Sequence, residues 1–216
     1  MELLALANSK GYDYCHIISE NTLPICTKEQ MEAFFSDSSN VYMESIPSLL
    51  QDPDALRTRY FYFQHLINTK RYVLNYFEKC LVTVQKLLRI NRRFRPLYKG
   101  YLYCHLNRQF VVWLTQNEVI WKNYLKKLKY CYGGEEYFFQ NLLEQSPYRN
   151  SLVNDCLIFD IWDQPQRGQP ANLMQNDISS ILKSKKLFAR KFSTREKEMS
   201  DFFKDNFIKA LVIDKK

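Results

Sequence analysis

Tyr101-Leu-Tyr-Cys-His-Leu-Asn-Arg-Gln-Phe-Val-Val-Trp-Leu114 changes its period part-way along. The first six residues form an aromatic and apolar run of strand type. From Asn107 the apolar positions Phe110, Leu114, Trp121 and Leu125 recur at helical spacing, which predicts a strand over 101–106 and one long helix over 107–128. Similar alternations flank this stretch. Tyr14-Cys-His-Ile-Ile18 reads as a strand after a helix end at 1–9. A helix then opens at the capping box Thr27/Gln30, with Met31, Phe34 and Phe35 as its buried side, and Val41 to Ser45 reads as the next strand. The segment Leu56 to Leu66 stays open between helix and strand. Over Arg71 to Ile90, Val73, Leu74, Phe77, Cys80, Leu81, Val84, Leu87 and Leu88 mark one face of a helix. Gly133-Gly134 precedes a helix over 135–144. Cys156 to Trp162 is strand-like, Asp163 to Ala171 a loop, Asn176 opens a short helix, and Ser193/Glu196 caps a last one. Strands alternating with helices give the α/β class.

The 216 residues fit one domain, 1–216, and exclude two large ones. With 46% hydrophobic residues, 25% charged, 5 Gly and 7 Pro, the chain is neither disordered nor collagen-like. Met1-Glu-Leu-Leu-Ala-Leu-Ala carries an acid where a secretion signal has cations, and no run approaches the roughly 20 apolar residues of a spanning helix. A cytoplasmic protein is expected. Cys15, Cys26, Cys80, Cys104, Cys131 and Cys156 form no Cys-x-x-Cys pair, so buried free thiols fit better than a zinc site or disulfides.

The formal charge of +8 is concentrated. Nine Lys/Arg and the single acid Glu78 fall within residues 70–99, which alone sum to +8. Asn91-Arg-Arg-Phe-Arg-Pro-Leu-Tyr-Lys-Gly100 surrounds aromatics with cations. It suits an anionic surface, a nucleic acid or a pyrophosphate, and equally a solvated helix end. Leu187-Phe-Ala-Arg-Lys-Phe192 sets two cations in an apolar hexapeptide, able to neutralise a diphosphate or simply to reach water. Glu135-Glu136, directly after Gly-Gly, is favoured by a helix N-terminus whether it serves as a base or as a surface acid. His16, His65 and His105 are too dispersed for a metal cluster. His16 could border a site at a strand's carboxyl end. There is neither a glycine-rich phosphate loop nor an Asp-x-Asp metal motif.

Four segments in this order resemble the core-2/I-branching enzymes, glycosyltransferase family 14, and especially its bacterial members. They are Tyr12-Asp-Tyr-Cys-His-Ile-Ile-Ser19 with Leu23-Pro24, Tyr98-Lys-Gly100 with Leu106-Asn-Arg-Gln-Phe-Val111, Glu135-Glu-Tyr-Phe-Phe-Gln140 with Ser146-Pro-Tyr-Arg-Asn150, and Leu187-Phe-Ala-Arg-Lys-Phe192. The resemblance implies a glycosyltransferase A-type, Rossmann-like fold. It also implies inverting, metal-independent transfer of a sugar of N-acetylglucosamine or xylose type from a UDP-sugar to a glycan or lipid-linked saccharide. No cofactor, metal or nucleic acid is then expected, and a peripheral contact with an anionic membrane at its inner face is compatible. By the same resemblance Glu136 is the general base, and Arg190 and Lys191 hold the diphosphate with Glu20 on the donor side. Lys99, Gly100, Arg57 and Glu135 lie on the acceptor side.

The chain also departs from the pattern. Thr22 replaces an Asp in the Ser19 to Pro24 turn, Ile158 replaces an arginine, and Tyr103-Cys104 replaces Trp-Phe. The family's uridine-cradling strands would precede residue 1, so the chain matches a C-terminal two-thirds. A non-catalytic remnant or partner subunit, and a basic nucleic-acid or membrane binder, are the alternatives.

Overall fold

The computed structural model of the chain describes residues 1–48, 55–63, 71–162, 170–193 and 201–203. In order, the elements begin with α1 (Glu2–Lys10), β1 (Tyr14–Ile17), β2 (Thr22–Pro24), α2 (Lys28–Phe35), β3 (Val41–Met43), β4 (Ile46–Pro47), α3 (Ala55–Arg59) and α4 (Arg71–Leu87). Then come β5 (Tyr98–Lys99), β6 (Cys104–Asn107), α5 (Arg108–Gln116), α6 (Glu118–Leu128), α7 (Phe138–Glu144), β7 (Leu152–Val153), β8 (Ile158–Phe159), α8 (Ile178–Lys183) and β9 (Phe188–Arg190). The class is mixed α/β, as the alternation of periods predicts.

Three small sheets organise these elements. The largest has the order β1-β6-β3-β7, with β6 antiparallel to both neighbours and β7 parallel to β3. Every residue of β6 is buried because both of its faces are covered. Val41, Met43, Cys104 and Leu106 from this sheet pack with Phe110, Leu114 and Leu142 in the main core. A second sheet, β2-β9-β8, sets Thr22 opposite Arg190 and Ile158 opposite Phe188. A third, β4-β5, sets Ile46 opposite Lys99.

The capping box on α2 forms as written: Gln30 N–H donates to the Thr27 hydroxyl and Thr27 N–H donates to the Gln30 side chain. Phe35 is buried and Met31 half-buried, whereas Phe34 is 40% exposed. Among the thiols, Cys26 and Cys104 are buried and Cys80 is exposed; all six are free. The segment left open at 56–66 is helical only over α3, while 64–66 lie outside the described residues, as do 163–169 of the expected loop and the Glu196 half of the last capping box.

Two expectations are corrected. The single helix over 107–128 breaks at Asn117, which leaves helical geometry at φ −109° and ψ 48° and turns its own amide onto the Trp113 carbonyl at 2.8 Å. A side chain that competes for backbone partners favours such a break. The break changes the helical phase, so Tyr124 and Leu128 are buried and Leu125 is not.

The second correction concerns α4. Of the apolar positions the sequence marks as inward, Val73, Phe77, Cys80, Val84, Leu87 and Leu88 are exposed, Leu81 is half-buried and the Leu74 side chain lies outside the described ones; among the described side chains of α4 the buried ones are Glu78 and Gln85. Gln85 receives Phe61 N–H at 2.8 Å and donates to Phe61 O at 3.0 Å, and Glu78 receives Phe63 N–H at 2.8 Å. These two side chains act as a substitute strand edge for the extended backbone of 61–63, whose polar groups need partners once buried. That requirement, rather than apolar burial, sets which side of α4 packs.

Candidate functional site

Two clusters gather the residues singled out in the sequence. The first is built on the turn after α6. Gly133 adopts φ +62°, and a Cβ there would lie 2.0 Å from an Arg57 guanidinium nitrogen. Glycine thus permits both the turn and the close approach of Arg57. Arg57, from α3, donates to Glu136 Oε2 at 2.8 Å and to the Tyr132 carbonyl at 3.2 Å, and its guanidinium lies over the Tyr132 and Tyr137 rings. Burial opposes the charge on Arg57, but the Glu136 carboxylate more than restores it and leaves the guanidinium pKa raised. Glu136 is 38% exposed, and its Oε1 accepts no hydrogen bond from a described residue. Glu135 is exposed beside it.

Lys99 and Gly100 join this cluster through the backbone: Gly100 N–H donates to the Glu136 carbonyl at 2.9 Å. Two buried amides of α7 fix the approach. Asn141 Oδ1 receives Leu97 N–H at 2.7 Å and Tyr98 N–H at 3.1 Å, and its Nδ2 donates to the Tyr98 and Tyr137 carbonyls, each at 2.7 Å. Gln140 Nε2 donates to the Glu44 and Tyr101 carbonyls. The sequence segments around Lys99 and Glu136 are therefore tied together by side chains lying between them.

The second cluster lies on the β2-β9-β8 sheet. The turn Ser19 to Thr22 is closed by Thr22 N–H on the Ser19 carbonyl and by a 2.9 Å contact between the two hydroxyls, so Thr22 serves as a buried turn residue. Glu20 is exposed on this turn, and Phe192 N–H donates to the Asn21 carbonyl, which brings Arg190 and Lys191 alongside. Arg190 is 7% exposed, its guanidinium lies 4.3 Å from the Tyr103 ring centroid, and its Nε has no partner among the described residues. Burial, then the neighbouring Arg190, lowers the Lys191 ammonium pKa. Ile158 fills the apolar core under this sheet and presents no charge.

Between the clusters stand residues that the sequence reading passed over. Glu44 receives Tyr101 N–H at 3.2 Å. Burial pushes its carboxyl pKa up, Asp160 and Glu136 add to the rise, and Lys99 opposes it. Asp160 receives Trp162 Nε1–H at 3.1 Å and also bonds the Tyr101 hydroxyl. Burial raises its carboxyl, against the pull of these two donors and of Arg190 and Lys186. Tyr101 and Trp162 stack with centroids 6.1 Å apart. Together with Asn154, Asp155, Cys156 and Lys186 they line a cleft of about 370 Å³. Such an open cleft, with an aromatic wall and half-buried carboxylates, suits a polyhydroxylated ligand. The only sequence signal for it was the Asp and Trp at the end of a strand-like run.

His16 does not border this site. It pairs with His105, Nδ1 to Nδ1 at 2.9 Å, against Phe35 and Phe188, while His105 Nε2 reaches the Cys156 carbonyl at 2.7 Å. Arg92, counted with the basic run, is buried: it donates to the Thr58 and Lys127 carbonyls and to Cys131 Sγ. Among the described residues no group of three or more His, Cys, Asp or Glu is placed to hold a metal ion, and no helix is long and apolar enough to cross a membrane.

The family model for core-2/I-branching enzymes matches residues 2–182. The chain belongs to the core-2/I-branching enzyme family. It is also similar to the beta-glucuronosyltransferase GlcAT14A of Arabidopsis thaliana, at 30% identity over 117 residues, covering 52% of this chain and 25% of that protein. This branching-enzyme family member thus spans about a quarter of that relative's length in the match. Both of the site's clusters, apart from the β9 segment with Arg190 and Lys191, lie inside the span of the family match.

Proposed function

We propose that this family member transfers a sugar from a UDP-sugar to a hydroxyl of a glycan or lipid-linked saccharide, with inversion and without a metal ion, on a glycosyltransferase A-type scaffold. Glu136 is the general base. It takes the proton of the acceptor hydroxyl, the freed oxygen bonds to the anomeric carbon, and the bond from that carbon to the UDP oxygen breaks. UDP departs with the electron pair. Arg190 and Lys191 meet the charge that develops on the leaving diphosphate, with Glu20 nearby on the donor side. Lys99, Gly100, Arg57 and Glu135 form the acceptor side, and the Tyr101/Trp162 wall lies along it.

The observation that carries this reading is the Glu136 carboxylate. It is half-open to solvent and directed by Arg57 through one oxygen, and the residue's backbone carbonyl accepts Gly100 N–H. A base must be held before the substrate arrives, and positioning of this kind supplies much of a catalytic group's effect. The buried Arg190, whose Nε has no partner among the described residues, supports an anionic ligand at the other cluster, since such a donor is costly to leave unsatisfied. Ile158 in place of an arginine leaves that ligand with fewer cations.

The test is UDP release by the purified chain from UDP-N-acetylglucosamine, UDP-xylose, UDP-glucose, UDP-galactose and UDP-glucuronate, each with mixed oligosaccharide acceptors. Turnover is expected with one donor. Glu136→Gln is expected to abolish it while thermal stabilisation by UDP persists, and Arg190→Leu to remove that stabilisation. If no donor gives UDP release and UDP does not stabilise the fold, the reading fails and a non-catalytic role takes its place.

A further inference from the structure

We infer that the cleft lined by Arg93 to Leu97 is a second glycan subsite, which takes an acidic group carried on a sugar, so that the acceptor is an anionic oligosaccharide. The cleft has a volume of about 540 Å³ and lies between the segment 93–97, helix α6 and the end of α7. Small-ligand sites occupy about 300–1,000 Å³, far more than a lone ion fills. Among the described residues three cations line it, Arg93 and Arg95 from the segment before β5 and Lys127 from α6, and no acid does. All three are exposed. Arg95 Nη1 donates to the Arg92 and Phe94 carbonyls at 2.6 and 2.9 Å. The side chains of Arg93 and Lys127 have no hydrogen-bond or ion-pair partner among the described residues.

Lys127 lies in the last turn of α6, where a cation complements the helix C-terminus. That does not account for two arginines from a distant segment on the same cleft, since like charges repel until an anion joins them. The wall identifies the rest of the ligand. Phe94 and Tyr124 meet edge to face with centroids 5.6 Å apart, and Pro96 and Leu97 continue the apolar lining. A bare phosphate makes no use of such a wall. The C–H face of a sugar ring packs on it, while a carboxylate, sulfate or phosphate on that ring meets the guanidinium and ammonium groups. Position assigns this unit to the acceptor. Leu97 lines the cleft and its N–H is held by Asn141 at 2.7 Å; Gly100, whose N–H meets the Glu136 carbonyl, follows three residues later, about 10 Å along extended chain. An oligosaccharide with its reacting hydroxyl at Glu136 covers that span, and a single sugar ring does not.

The inference rests on the reading of the chain as a glycan-modifying enzyme, but its main test needs neither donor nor turnover, so the two fail separately. The full chain is titrated by isothermal calorimetry with tetragalacturonate, neutral maltotetraose, inorganic phosphate and a single-stranded oligonucleotide. Tetragalacturonate is expected to bind more tightly than the other three, and salt to weaken it. Arg93→Gln and Lys127→Gln are each expected to weaken it by about threefold to fivefold, as for exposed ion pairs. Lys126→Gln, which removes the same charge from α6 outside the cleft, should leave binding unchanged. All three side chains are exposed, so the variants keep the parent's melting point. Where UDP release is measured, acidic oligosaccharides should serve as acceptors, with a KM that Arg93→Gln raises. The inference is overturned if tetragalacturonate binds no better than maltotetraose or phosphate, if the oligonucleotide binds best, if Lys126→Gln matters as much as Lys127→Gln, or if only neutral acceptors are used. Absence of UDP release with the binding results intact would sink the transfer reaction and leave the subsite standing.

Discussion

Gly100→Ala separates a positional requirement from a compositional one. A Cβ at Gly100 would lie 1.9 Å from the Glu44 carbonyl oxygen and 2.7 Å from the carbonyl carbon, whereas ordinary contact begins at 3.4 Å. The obstruction is backbone, so no side chain can swing aside, and one strand must retreat by about 1.5 Å. The retreat falls on the β4-β5 pairing, where Ile46 faces Lys99, and on the bond from Gly100 N–H to the Glu136 carbonyl. Overpacking of a close-packed site costs about 1–3 kcal/mol, and a backbone contact belongs at the upper end. For a chain of this length that corresponds to a melting point lower by about 6–12 °C. Because Glu136 moves with the strand, turnover should fall further than stability does, by about a hundredfold at temperatures where the variant is folded. Differential scanning fluorimetry and UDP release on the same preparation read both. A variant that melts within about 1 °C of the parent and turns over normally would refute the account of how Lys99-Gly100 and Glu136 are held together.

Asn141→Leu strips four hydrogen bonds from backbone groups, that of the buried Tyr137 carbonyl and three part-buried ones at Leu97 and Tyr98, and urea denaturation should show a loss of about 3 kcal/mol; an unchanged midpoint contradicts the tethering role. Arg92→Gln should destabilise by about 2 kcal/mol because the buried Thr58 carbonyl and the part-buried Lys127 carbonyl and Cys131 Sγ lose a charged donor, whereas Arg93→Gln, on the surface, should stay within about 0.5 kcal/mol. Equal effects would contradict the separation of the basic run into structural and exposed cations. Burial lowers His16 and His105 to about 4, and His105 adds to the lowering of His16. The unfolded chain therefore binds protons first as pH falls. The stability these neutral rings contribute is complete above about pH 6.5 and is lost towards pH 4, at up to about 1.4 kcal/mol per pH unit for each ring. Glu44 and Asp160, whose carboxyls are raised by burial, act in the opposite sense and offset part of the slope. Urea midpoints measured from pH 7 to pH 4.5 should decline; a flat profile counts against the buried pair.

Local sequence signals were read well where one turn or one pair of residues carries them. The Thr27/Gln30 box, the β1 and β3 strands and the glycine break before Glu135 needed no distant partner. Arg57, Glu136, Lys99 and Gly100 were named from a resemblance between short segments, and they come together in one cluster. Gln140 and Asn141 were not legible as the link. An amide on an amphipathic helix looks the same whether it meets water or four backbone groups. Glu44 and Asp160 escaped for a similar reason: a carboxylate becomes notable when burial and neighbouring charge act on it, and neither is local.

Helix α4 marks the boundary between the two kinds of information. The sequence by itself marked a helix over 71–90, which the structure ends at Leu87, and showed which residues form its apolar side, because periodicity is a property of the chain alone. It did not determine which side is packed. That was decided by the extended backbone of 61–63, whose half-buried amides and carbonyl are met by Gln85 and Glu78, and this pairing turned the apolar stripe outward. The same division holds at the site. The residue types and their order are written in the chain, while the 2.8 Å pair of Arg57 with Glu136 and the close passage of Gly100 by Glu44 exist only where segments many residues apart are brought together.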